Sequence, residues 1–214
     1  AAGVHPLLLA ICSERYTPYL TNKKPAEILT IANHILGTGQ LSLAKFVFIT
    51  ADDSNQLSTH HVQEYFEYIL SRLDLSSDIH FYTKTTMDTL DYSGDGLNTG
   101  SKVVIAAYGD VKRTSVPTSL LNLNMDASLV MPGVVAVNAA TYTTAALQNT
   151  LAGQGEALLA QEGVVFIIRT EDPNWMASDL NNFLWATFTR TNPSHDIEAI
   201  DAYTENKHWG AKGP

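Results

Sequence analysis

Short unbroken apolar runs alternate along this chain with longer stretches in which apolar residues recur every three or four positions. The runs "PLLLAI", "KFVFIT", "DIHFYT", "SKVVIAA", "GVVAVNA" and "GVVFII" have the length and β-branched content of strands. Between them, "PAEILTIANHIL", "THHVQEYFEYILSRL", "TAALQNTLAGQGEALLAQ" and "MASDLNNFLWATFTR" carry one apolar stripe each and predict amphipathic helices. Pro25 opens the first helix and Gly37 lies just past its end, which is the usual punctuation. "DIEAID" (196–201) reads as a further strand. Alternating strands and helices of this kind predict an α/β fold, with a mainly parallel sheet and helices on both faces.

The pattern is stated twice. Aligned without gaps, Phe46–Ile79 and Val164–Ile197 share seven of 34 positions, among them Phe48/Phe166, Arg72/Arg190, Ser76/Ser194 and Asp78/Asp196. Apolar character is matched at further pairs, such as Val62/Leu180, Tyr65/Phe183 and Leu70/Phe188. "AICSERYT" (10–17) resembles "AVNAATYT" (136–143), and "GSK" (100–102) answers "GAK" (210–212). Each pass reads β-α-β-α-β. Residues 1–118 are the expected first repeat and 119–214 the second, packed with it as one unit. The stretch 114–131 is low in charge and not clearly periodic.

Composition narrows the classes of function. A net charge of −9 and scattered basic residues argue against a nucleic-acid surface, which needs clustered Lys and Arg. The single cysteine, Cys12, excludes an internal disulfide and fits a reducing, cytoplasmic setting. No apolar run approaches the ~20 residues of a membrane helix. From Thr114 to Ile168 there is no Lys or Arg, which reads as a quiet surface or as a face covered by another subunit or domain.

Candidate chemistry is thin. Ligands of open parallel sheets bind beyond the carboxyl ends of the strands, where "CSER" (12–15), "TADDSN" (50–55) and "RTEDPN" (169–174) fall. Asp52, Asp53, Glu171 and Asp172 are carboxylates at strand-to-helix turns, suited to acid–base work or Mg²⁺, but more often helix caps. Glu14 and Arg15 read as a surface ion pair before a proton-transfer pair. "GTGQLS" follows a helix and precedes a strand, the reverse of a dinucleotide fingerprint, and "GDGLNTG" reads as turn chemistry. His60 and His61 are adjacent and diverge by ~100° on a helix. Cys12 reads as a small buried residue, and Trp185 and Phe188 as core or interface residues. No catalytic residue and no metal site emerges, and cofactor-binding residues stay unassigned.

Several phrases resemble one family. "KFVFITADD", "FLWATFTRTNPSHDI" and "LDYSGDGLNTGSKVVIAA" look like the carboxyl-terminal domain of UbiD-type decarboxylases, 3-octaprenyl-4-hydroxybenzoate carboxy-lyase-like enzymes. The aspartates and "GSK" are clearest in the first pass, "WATFTR" and "NPSHD" in the second. Usual members need one such unit, so the tandem form marks a divergent branch.

The resemblance implies a non-oxidative carboxy-lyase acting on an aromatic or unsaturated acid. It also implies prenylated FMN with a divalent metal and often potassium, bound mainly by a preceding domain. In that family the carboxyl-terminal domain forms an active-site wall and an assembly surface, so the upstream flavin domain of the same chain and a homo-oligomer are the implied partners. A Lys in the first helix approaches the cofactor in some members; here that helix has none, and Lys23 and Lys24 lie just before it. The chain is expected to be an excised piece, inactive alone, with a strand missing after Pro214. The alternatives are a stand-alone small-molecule or nucleotide-binding module, with ligands at "TADDSN" and "RTEDPN", and a structural interaction domain with a flat patch in 114–168.

Overall fold

The structure is a computed structural model that describes residues 6–113, 126–138 and 163–214. The predicted helix at 144–161 and most of the charge-poor stretch lie outside the described residues. The first half runs β1 (Leu7–Cys12), α1 (Ala26–Leu36), β2 (Phe46–Ala51), α2 (Val62–Arg72), β3 (Ile79–Thr85) and β4 (Gly100–Ala106). The second runs β5 (Ala127–Met131), β6 (Val134–Asn138), β7 (Phe166–Thr170), α3 (Pro173–Ser178), α4 (Leu180–Arg190), α5 (Pro193–Asp196), β8 (Tyr203–Glu205) and β9 (His208–Gly210).

The protein is α/β, with sheets of mixed orientation rather than one mainly parallel sheet. In the first sheet, ordered β1-β2-β4-β3, β1 pairs parallel with β2 and β2 with β4, while β3 pairs antiparallel with β4. The chain between β3 and β4 is a loop, so β4 returns beside β3 by a hairpin-like path. Without a crossover helix, that pair must be antiparallel. The second sheet, β5-β6-β7, joins an antiparallel pair to a parallel one. β5 and β6 are linked by a tight turn in which Gly133 takes φ 85°, a conformation that glycine adopts without strain.

The period of two along the strands explains how the layers stack. On one face of the first sheet, Val47, Ile49, Val104 and Ala106 pack against Ile28 and Ala32 of α1. On the other, Phe46, Phe48, Val103 and Ile105 pack against Tyr65, Phe66, Ile69 and Leu70 of α2. That second core also takes in Val134 and Ala136 of β6 and Phe183 and Phe188 of α4, so both halves contribute to one buried cluster. Its centre is aromatic. Phe66 stacks on Phe188 at 6.1 Å, and Phe48 meets Phe66 edge-on at 5.0 Å and Phe188 at 5.9 Å.

Two expectations about the second half change. The helix read over 176–190 is broken at Asp179, whose backbone is extended (φ −151°, ψ 135°) and whose carboxylate accepts the Asn181 N–H at the start of α4. Its capping side chain restarts the helix. "DIEAID" forms no strand: residues 193–196 make a helical turn. The Ile200 amide donates to the Pro214 carbonyl, and the Ile200 carbonyl accepts from Lys212 and Gly213. The Ile200 backbone groups, which a strand would have paired in a sheet, are satisfied by the carboxyl-terminal tail.

The β8–β9 hairpin lies on β3. Trp209 meets Phe81 edge-on at 5.2 Å, and the His80 and His208 rings are 5.2 Å apart. Burial, with the neighbouring His208 charge, pushes His80 down from its ordinary 6.5 to about 4. The folded protein therefore binds fewer protons at His80 than the unfolded chain between those values, and stability drops as pH falls from 6.5 towards 4. His80→Phe is expected to flatten the pH dependence of the urea midpoint in that window; an unchanged profile would contradict this account.

Phe66→Ala is expected to destabilise the protein by about 3–5 kcal/mol. Because the cluster spans both halves, tryptophan fluorescence and far-UV circular dichroism should report one coincident transition. Separate transitions for the two halves would contradict the shared core.

Candidate functional site

The polar groups that the sequence placed at the carboxyl ends of the strands are occupied in shaping the backbone. The Glu14 carboxylate accepts the Glu27 amide at 2.8 Å and the Ile28 amide at 3.0 Å, so it caps α1 from the end of β1 instead of pairing with Arg15. Glu27 reciprocates, accepting the Tyr16 amide at 2.8 Å. Asp52 does not cap α2, which starts ten residues later. It accepts the Ser54, Gln56 and Leu57 amides, at 2.9, 2.7 and 2.7 Å. Burial would raise its pKa, but those bonds and the Ser54 hydroxyl outweigh it and hold Asp52 at about 2. Asp172 accepts the Trp175 amide at 2.9 Å and caps α3, as expected of a residue in front of a helix.

Asp53 is the one of these carboxylates that meets other ionisable side chains. It accepts hydrogen bonds from the Lys23 ammonium and, at 2.8 Å, from the Tyr108 hydroxyl. Lys23 holds Asp53 below its ordinary range, and Asp53 holds Lys23 above its own. Both are well exposed, so the pair adds little stability. Cys12 is half-buried, and burial pushes its thiol up, away from the reactive thiolate. Among the described residues no group of three His, Cys, Asp or Glu side chains is arranged to hold a metal ion.

The polar centre of the molecule lies at the opposite, amino-terminal ends of the parallel strands. Lys45, just before β2, is only 1% exposed. Its ammonium has three donors and three acceptors: Asp91 Oδ2 at 2.7 Å, Ser93 Oγ at 2.8 Å and the Thr189 carbonyl at 3.4 Å. Burial pulls Lys45 below its ordinary range, opposed by the Asp91 and Asp196 charges. Ser93 lies 2.6 Å from Asp91 Oδ1, to which it donates, and 3.3 Å from the Thr191 carbonyl.

Next to it, at the start of β4, the buried Ser101 hydroxyl donates to Asn192 Oδ1 and accepts the Ser194 amide at 2.8 Å. The Asn192 amide donates in turn to Asp196 at 2.6 Å. Lys102 is also buried, and its ammonium donates to the Ser42 carbonyl. The loop carrying Asp91 and Ser93 closes by turn chemistry. A Cβ on Gly94 would sit 2.2 Å from the Thr99 carbonyl oxygen, which requires glycine there.

These contacts join the phrases that stood apart in the sequence. "K" of "KFVFITADD", "D" and "S" of "LDYSGDG", and "S" of "GSK" meet "TRTNPSHD" of the second half in one buried network. Sequence reasoning missed Lys45, Asp91 and Ser93 as a unit; the available signal was a lysine abutting a strand that opens on four apolar residues. Beside the network lies an open cleft of about 720 Å³, between the start of β1, the 90–93 loop and α4. Neither "TADDSN" nor "RTEDPN" lines it. Of the two aromatic residues singled out on α4, Phe188 is buried in the core and Trp185 stands in the cleft wall.

A domain of this architecture, knit at these motifs, defines a class. The chain belongs to the family of 3-octaprenyl-4-hydroxybenzoate carboxy-lyase C-terminal domains, whose pattern fits residues 1–107. The curated relatives match both halves. A Chlamydia muridarum protein described only as uncharacterized is 32% identical over 217 residues, covering 100% of this chain and 34% of its own length. A Chlamydia pneumoniae protein named as a subunit of 4-hydroxybenzoate decarboxylase is 30% identical over 206 residues, covering 94% of this chain and 32% of its own length. The chain thus spans about a third of the length of these relatives. Among solved structures, vanillic acid decarboxylase from Sedimentibacter hydroxybenzoicus in its closed form shares 15% identity and a TM-score of 0.39, over 66% of this chain and 25% of that one. At that overlap it assigns no residue a role. Among the described residues no helix is long and apolar enough to cross a membrane.

Asp91→Asn leaves a buried ammonium without its counter-charge and is expected to lower stability by about 3–5 kcal/mol. The double variant Lys45→Met/Asp91→Leu, which removes both charges, should recover most of that loss in urea denaturation. Equal losses in single and double variants would contradict a coupled buried pair.

Proposed function

We propose that this chain is the carboxyl-terminal, assembly and active-site-wall domain of a UbiD-like non-oxidative carboxy-lyase acting on an aromatic or unsaturated carboxylic acid. The observation that carries this reading is the use to which the family's motif residues are put. Lys45, Asp91, Ser101 and Asn192 are buried, and with Ser93 and Asp196 they bond to one another within the fold, so they frame a site without reacting in it. Of the carboxylates at the strand ends, Glu14 and Asp172 cap helices, Asp52 orders a loop and Asp53 pairs with Lys23.

In this proposal prenylated FMN, a divalent metal and often potassium are bound mainly by the preceding flavin domain of the same parent chain. The assembled enzyme is a cytoplasmic homo-oligomer. Lys23, just before α1, is paired with Asp53, and Lys45 and Lys102 are buried against Asp91 and the Ser42 carbonyl. The two passes, 1–118 and 119–214, are read as an internal duplication that packs as one unit. Supporting this, α2 (Val62–Arg72) and α4 (Leu180–Arg190) lie at the repeat's own spacing, and β1/β2 and β6/β7 are both parallel pairs.

The stand-alone module requires a polar pocket shared by "TADDSN" and "RTEDPN", and the cleft touches neither. The purified chain is therefore expected to bind no prenylated FMN in a fluorescence titration and to release no CO₂ from aromatic or unsaturated acids. Robust decarboxylation by the chain alone would overturn the assignment of catalysis to another domain.

A further inference from the structure

Three large apolar side chains stand in solvent around the cleft: Tyr92 is 88% exposed, Trp185 55% and Leu90 50%. One such residue is ordinary, but three gathered on a concave surface mark a contact face. Leu7 and Leu184 extend the apolar lining, and the Arg190 guanidinium lies over the Trp185 ring at 4.9 Å. Aromatic and arginine side chains of this kind anchor protein interfaces. The walls are also fixed in advance. Lys45 binds Asp91 and Ser93 of one wall and the Thr189 carbonyl of the other, which holds the 90–93 loop and α4 at a set separation. A preformed surface loses less entropy when it is covered.

Resting on the reading of the chain as the carboxyl-terminal domain of a longer enzyme, we propose that this cleft is the seat of the polypeptide that precedes β1 in that enzyme. Three observations select this occupant over a second copy or an unrelated protein. Pro6, just before β1, and Leu7, its first residue, line the cleft, so the amino-terminal edge of β1 is part of its wall. The relatives run to about three times the length of this chain, which supplies the material. The family is one of C-terminal domains, so additional chain precedes it. A tethered segment beside the cleft has an effective concentration on the order of millimolar, which favours it over a free partner.

The test is cysteine alkylation at Tyr92→Cys, with Tyr16→Cys, an equally exposed position on another face, as control. Each is placed in this chain and in the full open reading frame, and peptide-resolved mass spectrometry reads the rates. The expected result is at least a roughly tenfold slowing at position 92 in the longer protein, with position 16 unchanged. Equal rates at position 92 in both forms would overturn the proposal, as would slowing at 92 in the short chain as its concentration rises, which would make the occupant a second copy. A reading frame with no domain before β1 would overturn it as well. Decarboxylation by the longer protein is assayed separately. An active enzyme with an unprotected position 92 sinks the docking face alone, and a protected but inactive one sinks only the proposed reaction.

Discussion

The ion pair between Lys45 and Asp91 is the constraint on which the rest of the molecule turns. A lysine that is 1% exposed tolerates its charge only with complete hydrogen bonding, and its third acceptor, the Thr189 carbonyl, comes from the other half of the chain. That requirement sets the 88–99 loop against the amino ends of β2 and β4. It also fixes where α4 ends. With α4 so placed, Phe183 and Phe188 reach Phe66 and Phe48, and two small sheets gain a common core. Polar specificity and apolar packing act here on the same helix, one at its end and the other along its face.

Much of the fold was legible from hydrophobic spacing. The strands at 7–12, 46–51 and 100–106 and the helices at 26–36 and 62–72 fall where periodicity puts them, because their partners lie within the same pass. α4 is recovered too, though Asp179 divides its predicted first turn into a separate helix. What failed was decided by tertiary context. The segment 197–201 has strand-like composition, but the tail at 212–214 takes the backbone hydrogen bonds of Ile200, and the Ile197 amide turns back to Pro193. β5, at 127–131, pairs with β6 through a turn at Gly133, a residue that the apolar run "GVVAVNA" places at the start of a strand.

The candidate site was less legible, and the reason is physical. Rules for parallel sheets direct attention to the carboxyl ends of strands, where Glu14, Asp52 and Asp172 do appear, as caps and loop braces. Lys45 finds its partners 46, 48 and 144 positions along the chain, at Asp91, Ser93 and Thr189, and no local pattern encodes such contacts. The family resemblance named the right phrases without revealing that they touch. What long-range contacts build here is a buried polar seam that sets the walls of a cleft.

The central claim is that this seam makes the two halves one cooperative unit. Native-state amide hydrogen exchange tests it most directly, at three amides: Ser194, which donates to Ser101; Asn192, which donates to Asp196; and Val103, which donates to the Lys45 carbonyl. The account predicts that all three open with the same free energy, equal to that of global unfolding. Exchange at Ser194 and Asn192 through a much lower-energy opening, with Val103 still protected, would contradict it.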